Sequence, residues 1–214
     1  MIRFILVRHG ETDWNRVERF RGHVDVPLNP TGLKQADALA ERIAADWRPA
    51  AVYTSPLTRA VQTATAIADR CGLTPQVHAD LNDMNFGEWQ GLTPEEVSKR
   101  WPHAYSTWFQ APQIARIPGG ETLDEVSARA LPAVDRIGRQ HPAQTVVLVS
   151  HVDVNRVILL AILGAGHGHF WRLQQEPGAL NVFELSDDRT VVLSLNDTCH
   201  LRSQSGQNRL GNNP

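Results

Sequence analysis

The sequence predicts an α/β fold: a three-layer α/β/α sandwich around a mostly parallel central sheet, with a helical insertion covering one end. Three observations carry this. Short apolar runs rich in β-branched residues alternate along the chain with stretches of helical periodicity. The strand-like runs end abruptly in polar loops, as strands feeding crossover helices do. The chain has 214 residues, 42% hydrophobic and 21% charged, which is the size and composition of one ordinary domain with its own core.

The elements follow in order. Ile2 to Val7 reads as a buried strand and stops at the polar loop Arg8-His9-Gly10-Glu11-Thr12. From Thr31 to Ala45, residues Leu33, Ala36, Leu39, Ala40 and Ile43 recur at helical spacing, with Pro30-Thr31-Gly32 as the start signal. Ala51 to Thr54 is a second strand. Pro56 opens a helix over Leu57 to Arg70, with Ala60, Val61, Ala64 and Ile67 on one face. Thr93-Pro94-Glu95-Glu96 and Thr122-Leu123-Asp124-Glu125 are capping boxes, the second starting a helix that runs to Arg139. Trp101, Trp108 and Pro112 between them mark the helical insertion. Thr145 to Val149 is a strand ending in Ser150-His151, and a nearly all-apolar helix follows to Leu163. Leu180 to Leu185 and Thr190 to Leu195 are the last strands, joined by the turn Ser186-Asp187-Asp188-Arg189. Residues 1–201 read as the domain, and 202–214, rich in Gly, Asn, Ser and Gln, as a mobile polar tail.

Composition excludes several classes. Lys+Arg 21 against Asp+Glu 23 gives a net charge of -2 and a sequence pI near 6.5, not the footprint of a protein that binds nucleic acid or an anionic membrane. The longest apolar stretch, Val157 to Gly166, is half a membrane span. Met1 to Arg8 turns polar too soon for a signal peptide. Cys71 and Cys199 are too few and too far apart for a disulfide framework or a zinc motif. The expectation is a cytoplasmic protein without nucleic-acid or membrane partners; an exposed edge strand leaves a homodimer open.

In open α/β sheets, ligands bind beyond the carboxyl ends of the strands. Parallel pairing brings His9, with Arg8 beside it, and His151 to one edge of the sheet. The second strand runs into Ser55-Pro56-Leu57-Thr58-Arg59 and delivers Arg59 on the first turn of a helix. Arginine forks match phosphoryl oxygens and helix N-termini favour anions, so the cluster suits a phosphate. His167-Gly168-His169 lacks a third ligand for a metal, and Cys199-His200 is not a catalytic pair. Trp14 and Trp89, next to the loops that carry the chemistry, are expected to wall the pocket.

Leu6-Val7-Arg8-His9-Gly10-Glu11-Thr12, followed by Trp14-Asn15, resembles the signature of the histidine phosphatase superfamily, phosphoglycerate mutase-like branch. Further blocks match in order: Asp25-Val26-Pro27-Leu28 with Thr31-Gly32, Ser55-Pro56-Leu57-Thr58-Arg59-Ala60, Phe86-Gly87-Glu88-Trp89-Gln90-Gly91, Pro118-Gly119-Gly120-Glu121-Thr122, and Ser150-His151. The resemblance spans residues 2–195 and implies that the insertion lies over an active site.

It also implies roles. His9 is the nucleophile that takes the phosphoryl group. Arg8, Arg59 and His151 bind the phosphoryl oxygens, and Asn15 adds a hydrogen bond. Asp83 protonates the leaving alcohol and then deprotonates the attacking water. The neighbouring arginines keep His9 neutral, and with a protonated His151 they neutralise the phosphate, so no metal or other cofactor is required. The family's acid is usually Glu; Asp83 is one methylene shorter, and Glu88 is its rival. Arg21 stands where glutamine is frequent and, with Gly22, borders the substrate. Val152-Asp153-Val154-Asn155-Arg156 follows His151 where a glycine often comes next.

The implied activity is hydrolysis of a small phosphomonoester. A phosphoglycerate mutase is the enzymatic alternative, though the mutases of this family are longer; a non-catalytic phospho-ligand binding domain is the other. Leu195 to Leu201, containing His200, is similar to the end of the superfamily's metal-independent phosphoserine phosphatases. That places His200 among the substrate-binding candidates and L-phosphoserine first, with α-ribazole phosphate, sugar phosphates and phosphoglycerates open.

Overall fold

A computed structural model describes residues 1–186 and 188–204. Its centre is a six-stranded sheet of β1 (Ile2–Arg8), β2 (Ala51–Thr54), β3 (Gln76–Val77), β4 (Thr145–Ser150), β5 (Leu180–Leu185) and β6 (Thr190–Asp197). The order is β3-β2-β4-β1-β5-β6. β1 to β4 are mutually parallel, β5 runs antiparallel to β1, and β6 antiparallel to β5. Seven helices accompany the sheet among the described residues: α1 (Asp13–Arg16), α2 (Pro30–Asp46), α3 (Thr58–Cys71), α4 (Pro94–Arg100), α5 (Pro102–Gln110), α6 (Leu123–Gln140) and α7 (Val152–Ile162).

The sandwich follows from the period-two geometry of its strands. Along β1, Ile5 and Val7 face the layer of α2 and α3, packing with Leu39, Ile43, Ala60, Ala64 and Ile67. Phe4 and Leu6 face the opposite layer, with Val126 and Ile137 of α6 and Val157 and Ile158 of α7. Both faces are buried, which is why the run is apolar throughout. The capping boxes form as expected: Thr93 Oγ1 accepts from the Glu96 N–H, and Thr122 Oγ1 from the Glu125 N–H, each at 3.2 Å. Helix α2 starts one residue earlier than its sequence signal suggested. Asn29 caps it, its Oδ1 accepting from the Gly32 N–H at 2.8 Å, and Pro30 takes the first turn, where a missing N–H costs nothing.

The insertion packs by aromatic contacts, Phe20 on Phe86, Phe86 on Trp108 and Trp108 on Phe170, with ring centroids 5.2–5.7 Å apart. Two features escaped the sequence reading. β3 is two residues long with exposed side chains and pairs only through its backbone with β2, so it has no hydrophobic pattern to read. A 3₁₀ turn over Cys199–Gln204 continues past the expected boundary at 201. Residues 205–214 of the expected tail, and Asp187 in the β5–β6 turn, lie outside the described residues. No described helix is long and apolar enough to cross a membrane.

Candidate active site

Strand register assembles the site. β1 pairs with β4 so that Arg8 stands opposite Ser150, and the His9 N–H donates to the Ser150 carbonyl at 3.1 Å. The two histidine rings lie 5.1 Å apart, both fully buried. His9 Nδ1 is 2.6 Å from the Gly10 carbonyl oxygen. A carbonyl only accepts, so Nδ1 carries the proton and Nε2 keeps its lone pair. Nε2 is buried and has no hydrogen-bond partner among the described residues. Gly10 is glycine because α2 begins against it: a Cβ there would come within 2.5 Å of the Gly32 oxygen.

The cations converge from separate elements. Arg8 ends β1, and its Nη1 donates to the Gln175 carbonyl while Nε is buried without a partner among the described residues. Arg59, on the first turn of α3, donates to the carbonyls of Val24 (2.9 Å) and Gly22 (2.8 Å), to Asp83 Oδ2 (2.9 Å) and to His151 Nδ1 (3.3 Å). Gly22 has a φ of +50°, a conformation that aims its carbonyl at Arg59 and strains any other residue. Since His151 Nδ1 accepts from Arg59, its Nε2–H donates to Ser55 Oγ at 2.7 Å. Arg21 Nε, at the mouth, is also buried without a partner among the described residues.

Burial, more than the arginines, sets the charge of the rings. His9 is held well below 6.5 first by desolvation, then by Arg59, His151, Arg8 and Arg21. Desolvation and then Arg59 do the same to His151, so in the free site it is neutral and not the third cation the sequence reading assigned. Burial, with Arg21 and Arg156, pushes Arg8 down to about 9. The result is a buried site in which Arg8, Arg21 and Arg59 gather around neutral histidines and the carboxylate of Asp83.

This arrangement fixes a sign for stability against pH. The folded histidines resist protonation while the unfolded ones accept it, so stability falls as pH drops below the ordinary histidine value of 6.5. Asp153, pushed up to about 6 by burial and by Asp83, acts oppositely, because its folded form binds a proton that the unfolded form releases. Unfolding free energies from denaturant titrations are therefore expected to fall below pH 6.5 with a net slope of roughly 1.4 kcal/mol per pH unit, the two histidine protons of the unfolded chain less the one that folded Asp153 binds. A flat profile between pH 6.5 and 5 would contradict neutral buried histidines.

The acid candidates separate cleanly. Asp83 is buried, its Oδ1 accepting from the Met84 N–H at 2.9 Å and its Oδ2 from Arg59. Its loop is pinned by Arg129 of α6, which donates to the carbonyls of Asp80, Asn82 and Asp83 at 2.8–2.9 Å and pairs with Glu121 at 2.7 Å. Ser150 Oγ ties the same loop to β4 through the Leu81 carbonyl, at 2.7 Å. Glu88 instead sits exposed in the 3₁₀ turn Gly87–Trp89, whereas Asp83 is buried against Arg59. Nothing local distinguishes Arg129 in the sequence; only the fold shows its task.

Asn15 holds the turn after His9, its Oδ1 accepting from the Thr12 N–H and Oγ–H at 2.9 Å each, and its amide nitrogen is the donor that the expected phosphate contact needs. Two other assignments need correction. His200 stands behind the nucleophile: its ring Nε2 is 3.0 Å from the Gly178 carbonyl, and the Gly178 N–H donates to the carbonyls of Arg8 and His9. It braces the backbone that carries the nucleophile. Trp89 is core, packed on Phe20 and Tyr105, and neither it nor Trp14 lines the cavity; Trp108 and Trp171 do. His167 bonds Ser127 Oγ (2.9 Å) and Asp124 Oδ1 (3.0 Å), a structural role.

The cavity, about 220 Å3, opens between Arg21, Asp83, the aromatic residues Phe86, Trp108, Phe109 and Trp171, and the first turn of α7. That turn contributes Asp153 and Arg156, which the sequence reading did not single out. They follow His151 near the start of the helix after a strand that carries a site residue, as Arg59 follows Ser55. That parallel is the signal that would have found them.

A bare, neutral histidine nitrogen among arginines, at the carboxyl ends of a parallel sheet, defines a phosphoryl-binding enzyme site. A model of the histidine phosphatase superfamily (branch 1) matches residues 4–198. The chain belongs to that superfamily. A metal-independent phosphoserine phosphatase of Arabidopsis thaliana is 38% identical over 201 residues, covering 93% of this chain and 83% of the relative. Phosphoserine phosphatase 1 of Hydrogenobacter thermophilus is 34% identical, covering 94% and 95%. The crystal structure of a phosphoserine phosphatase from Entamoeba histolytica in complex with 3-phosphoglyceric acid superposes with a TM-score of 0.85 at 27% identity, over 94% of this chain and all of that one.

Proposed function

We propose that this chain, as a single domain over residues 1–201, hydrolyses small phosphomonoesters by two displacements at phosphorus through His9. The observation that carries the reading is the unpartnered Nε2 of a buried, neutral His9 beside Arg8 and Arg59. In the first displacement Nε2 attacks phosphorus, the N–P bond forms, and the P–O bond to the alcohol breaks. Asp83, which takes up a proton as the substrate phosphate displaces it from Arg59, gives that proton to the departing oxygen. In the second, water attacks the phosphohistidine, Asp83 takes a proton from it, and inorganic phosphate leaves with Nε2 restored.

Arg8, Arg21 and Arg59 supply the charge that the three equatorial oxygens need, already desolvated and in place, so the chemistry requires no metal. The incoming phosphoryl group takes over the Arg59 contacts that Asp83 holds in the free site, freeing the acid for the leaving oxygen. L-Phosphoserine leads among substrates, because the cavity suits a compact alcohol and two of the similar proteins are named for that ester.

Asp83→Asn tests the acid. The variant is expected to lose roughly 100- to 10,000-fold in kcat on alkyl phosphates and far less on p-nitrophenyl phosphate, whose leaving group needs no proton. Equal losses on both would assign Asp83 a structural role.

A further inference from the structure

The phosphatase reading uses Arg8, Arg21, Arg59, Asp83 and His9, with His151 held between Arg59 and Ser55. It leaves unused a charged pair in the wall of the leaving-group cavity. Asp153, the second residue of α7, is 6% exposed, and its carboxylate accepts no hydrogen bond among the described residues. Its nearest ion-pair partner is Arg156 Nη1, at 3.6 Å. Both residues line the cavity, so a group bound there can supply the hydrogen bonds that the protein leaves the carboxylate without.

Arg156 cannot do so by swinging inward. Its Nε–H donates to the Leu173 carbonyl at 2.8 Å, and its guanidinium lies over the rings of Phe170 and Trp171, 5.0 and 4.9 Å from their centroids. The guanidinium is thus fixed, with Nη1 turned toward Asp153. Asp153 and Arg156 together offer one negative and one positive group, side by side, to whatever alcohol is attached to the phosphoryl group.

A ligand carrying a single charge satisfies one member of this pair and leaves the other facing a like or neutral group. A zwitterion satisfies both. We propose that Asp153 and Arg156 are the specificity-determining subsite of the reaction above, Asp153 taking an ammonium group on the leaving alcohol and Arg156 the adjoining carboxylate. Resting on the phosphatase reading, the inference predicts a preference for O-phosphoserine over 3-phosphoglycerate, which has the same skeleton with a hydroxyl in place of the ammonium. An ammonium gives Asp153 a charge-assisted hydrogen bond; a hydroxyl gives a neutral one.

Protonation of Asp153 must weaken the preference. The charged groups that act on it are Asp83, Arg156, Arg21 and Arg8, and burial with Asp83 pushes it up to about 6. Above that pH the carboxylate is ionised and attracts the ammonium; below it the attraction fades. Both esters meet the same His9, His151 and arginines, so the ratio of their kcat/KM values isolates Asp153.

The test measures kcat/KM for the two esters with the wild-type chain and with Asp153→Asn and Asp153→Glu, alongside p-nitrophenyl phosphate. The wild type is expected to favour O-phosphoserine by about tenfold or more, and Asp153→Asn to shrink the ratio by about 10- to 100-fold, with partial recovery in Asp153→Glu. In the wild type alone, the ratio is expected to fall as pH drops from about 7.5 to about 5, so the test survives a variant that does not fold. A wild-type ratio near one or below, equal losses on both esters in Asp153→Asn, or a ratio independent of pH overturns the subsite. Release from p-nitrophenyl phosphate with no preference sinks this inference alone, whereas no release from any ester sinks the reading beneath it.

Discussion

His9→Ala is expected to abolish phosphate release, lowering kcat on p-nitrophenyl phosphate by about 10,000- to 1,000,000-fold, as deletion of a covalent nucleophile does. The size of the loss follows from the site. Nε2 of His9 is a bare, buried ring nitrogen, and every cation around it is placed to favour an oxyanion rather than to attack one. Binding survives in such a variant, since Arg8, Arg59 and Arg21 remain, so KM moves much less than kcat. The fold survives as well: the lost ring was neutral and its side-chain hydrogen bond was local, to Gly10, so the destabilisation is expected within roughly 1–3 kcal/mol. Wild-type reactions quenched in alkaline denaturant, where the N–P bond of phosphohistidine survives, are expected to trap label on His9, and the variant none. Because the positive charge comes from arginine, EDTA is expected to leave the wild-type rate unchanged. Full inhibition by EDTA, reversed by added metal, would overturn the mechanism.

Arg59→Ala is expected to damage stability and catalysis together. The guanidinium is fully buried and serves four acceptors at once: the carbonyls of Gly22 and Val24, the carboxylate of Asp83 and Nδ1 of His151. Removing it strands a buried carboxylate without its cation and orphans two loop carbonyls, which is expected to cost about 3–5 kcal/mol of folding free energy. On the proposed mechanism Arg59 also binds the phosphoryl group, so kcat/KM is expected to fall by about 1,000-fold. Lysine does not rescue it, because one ammonium cannot span four acceptors in a plane. Urea denaturation of the single variant and of Arg59→Ala/Asp83→Ala separates the effects. The double variant should recover part of the lost stability, since the unpaired charge is gone, while activity stays low. A single variant as stable as the wild type would show that the buried pair carries little of the fold.

Much of this site was legible because its residues sit at strand and helix ends, where local sequence decides position. His9 and His151 each follow a buried apolar strand, and Arg59 follows Pro56 on the first turn of a helix; parallel pairing does the rest. The residues misplaced or missed depend on contacts distant in sequence. His200 was read as facing substrate, yet it meets the Gly178 carbonyl and braces the nucleophile from behind. Glu88 is close to Asp83 in sequence, but the turn Gly87–Trp89 sends it to the surface. Arg129 clamps the acid's loop from a helix more than forty residues downstream. Trp89 went to the core because Phe20 and Tyr105 enclose it, and Trp108 and Trp171 took the cavity wall.

By itself, then, the sequence determined the sandwich, the order of its main elements and the edge at which phosphate chemistry gathers. Hydrophobic period and capping signals are local and survive without tertiary information. The tertiary structure decided the protonation of the site and which charges stand in the cavity wall. Burial, a property of the whole packed chain, outranks the arginines in keeping His9 and His151 neutral. Only packing sets Asp153 beside an Arg156 immobilised on Phe170 and Trp171, because no spacing along the chain records which of two neighbouring charges is held and which is left open to a ligand.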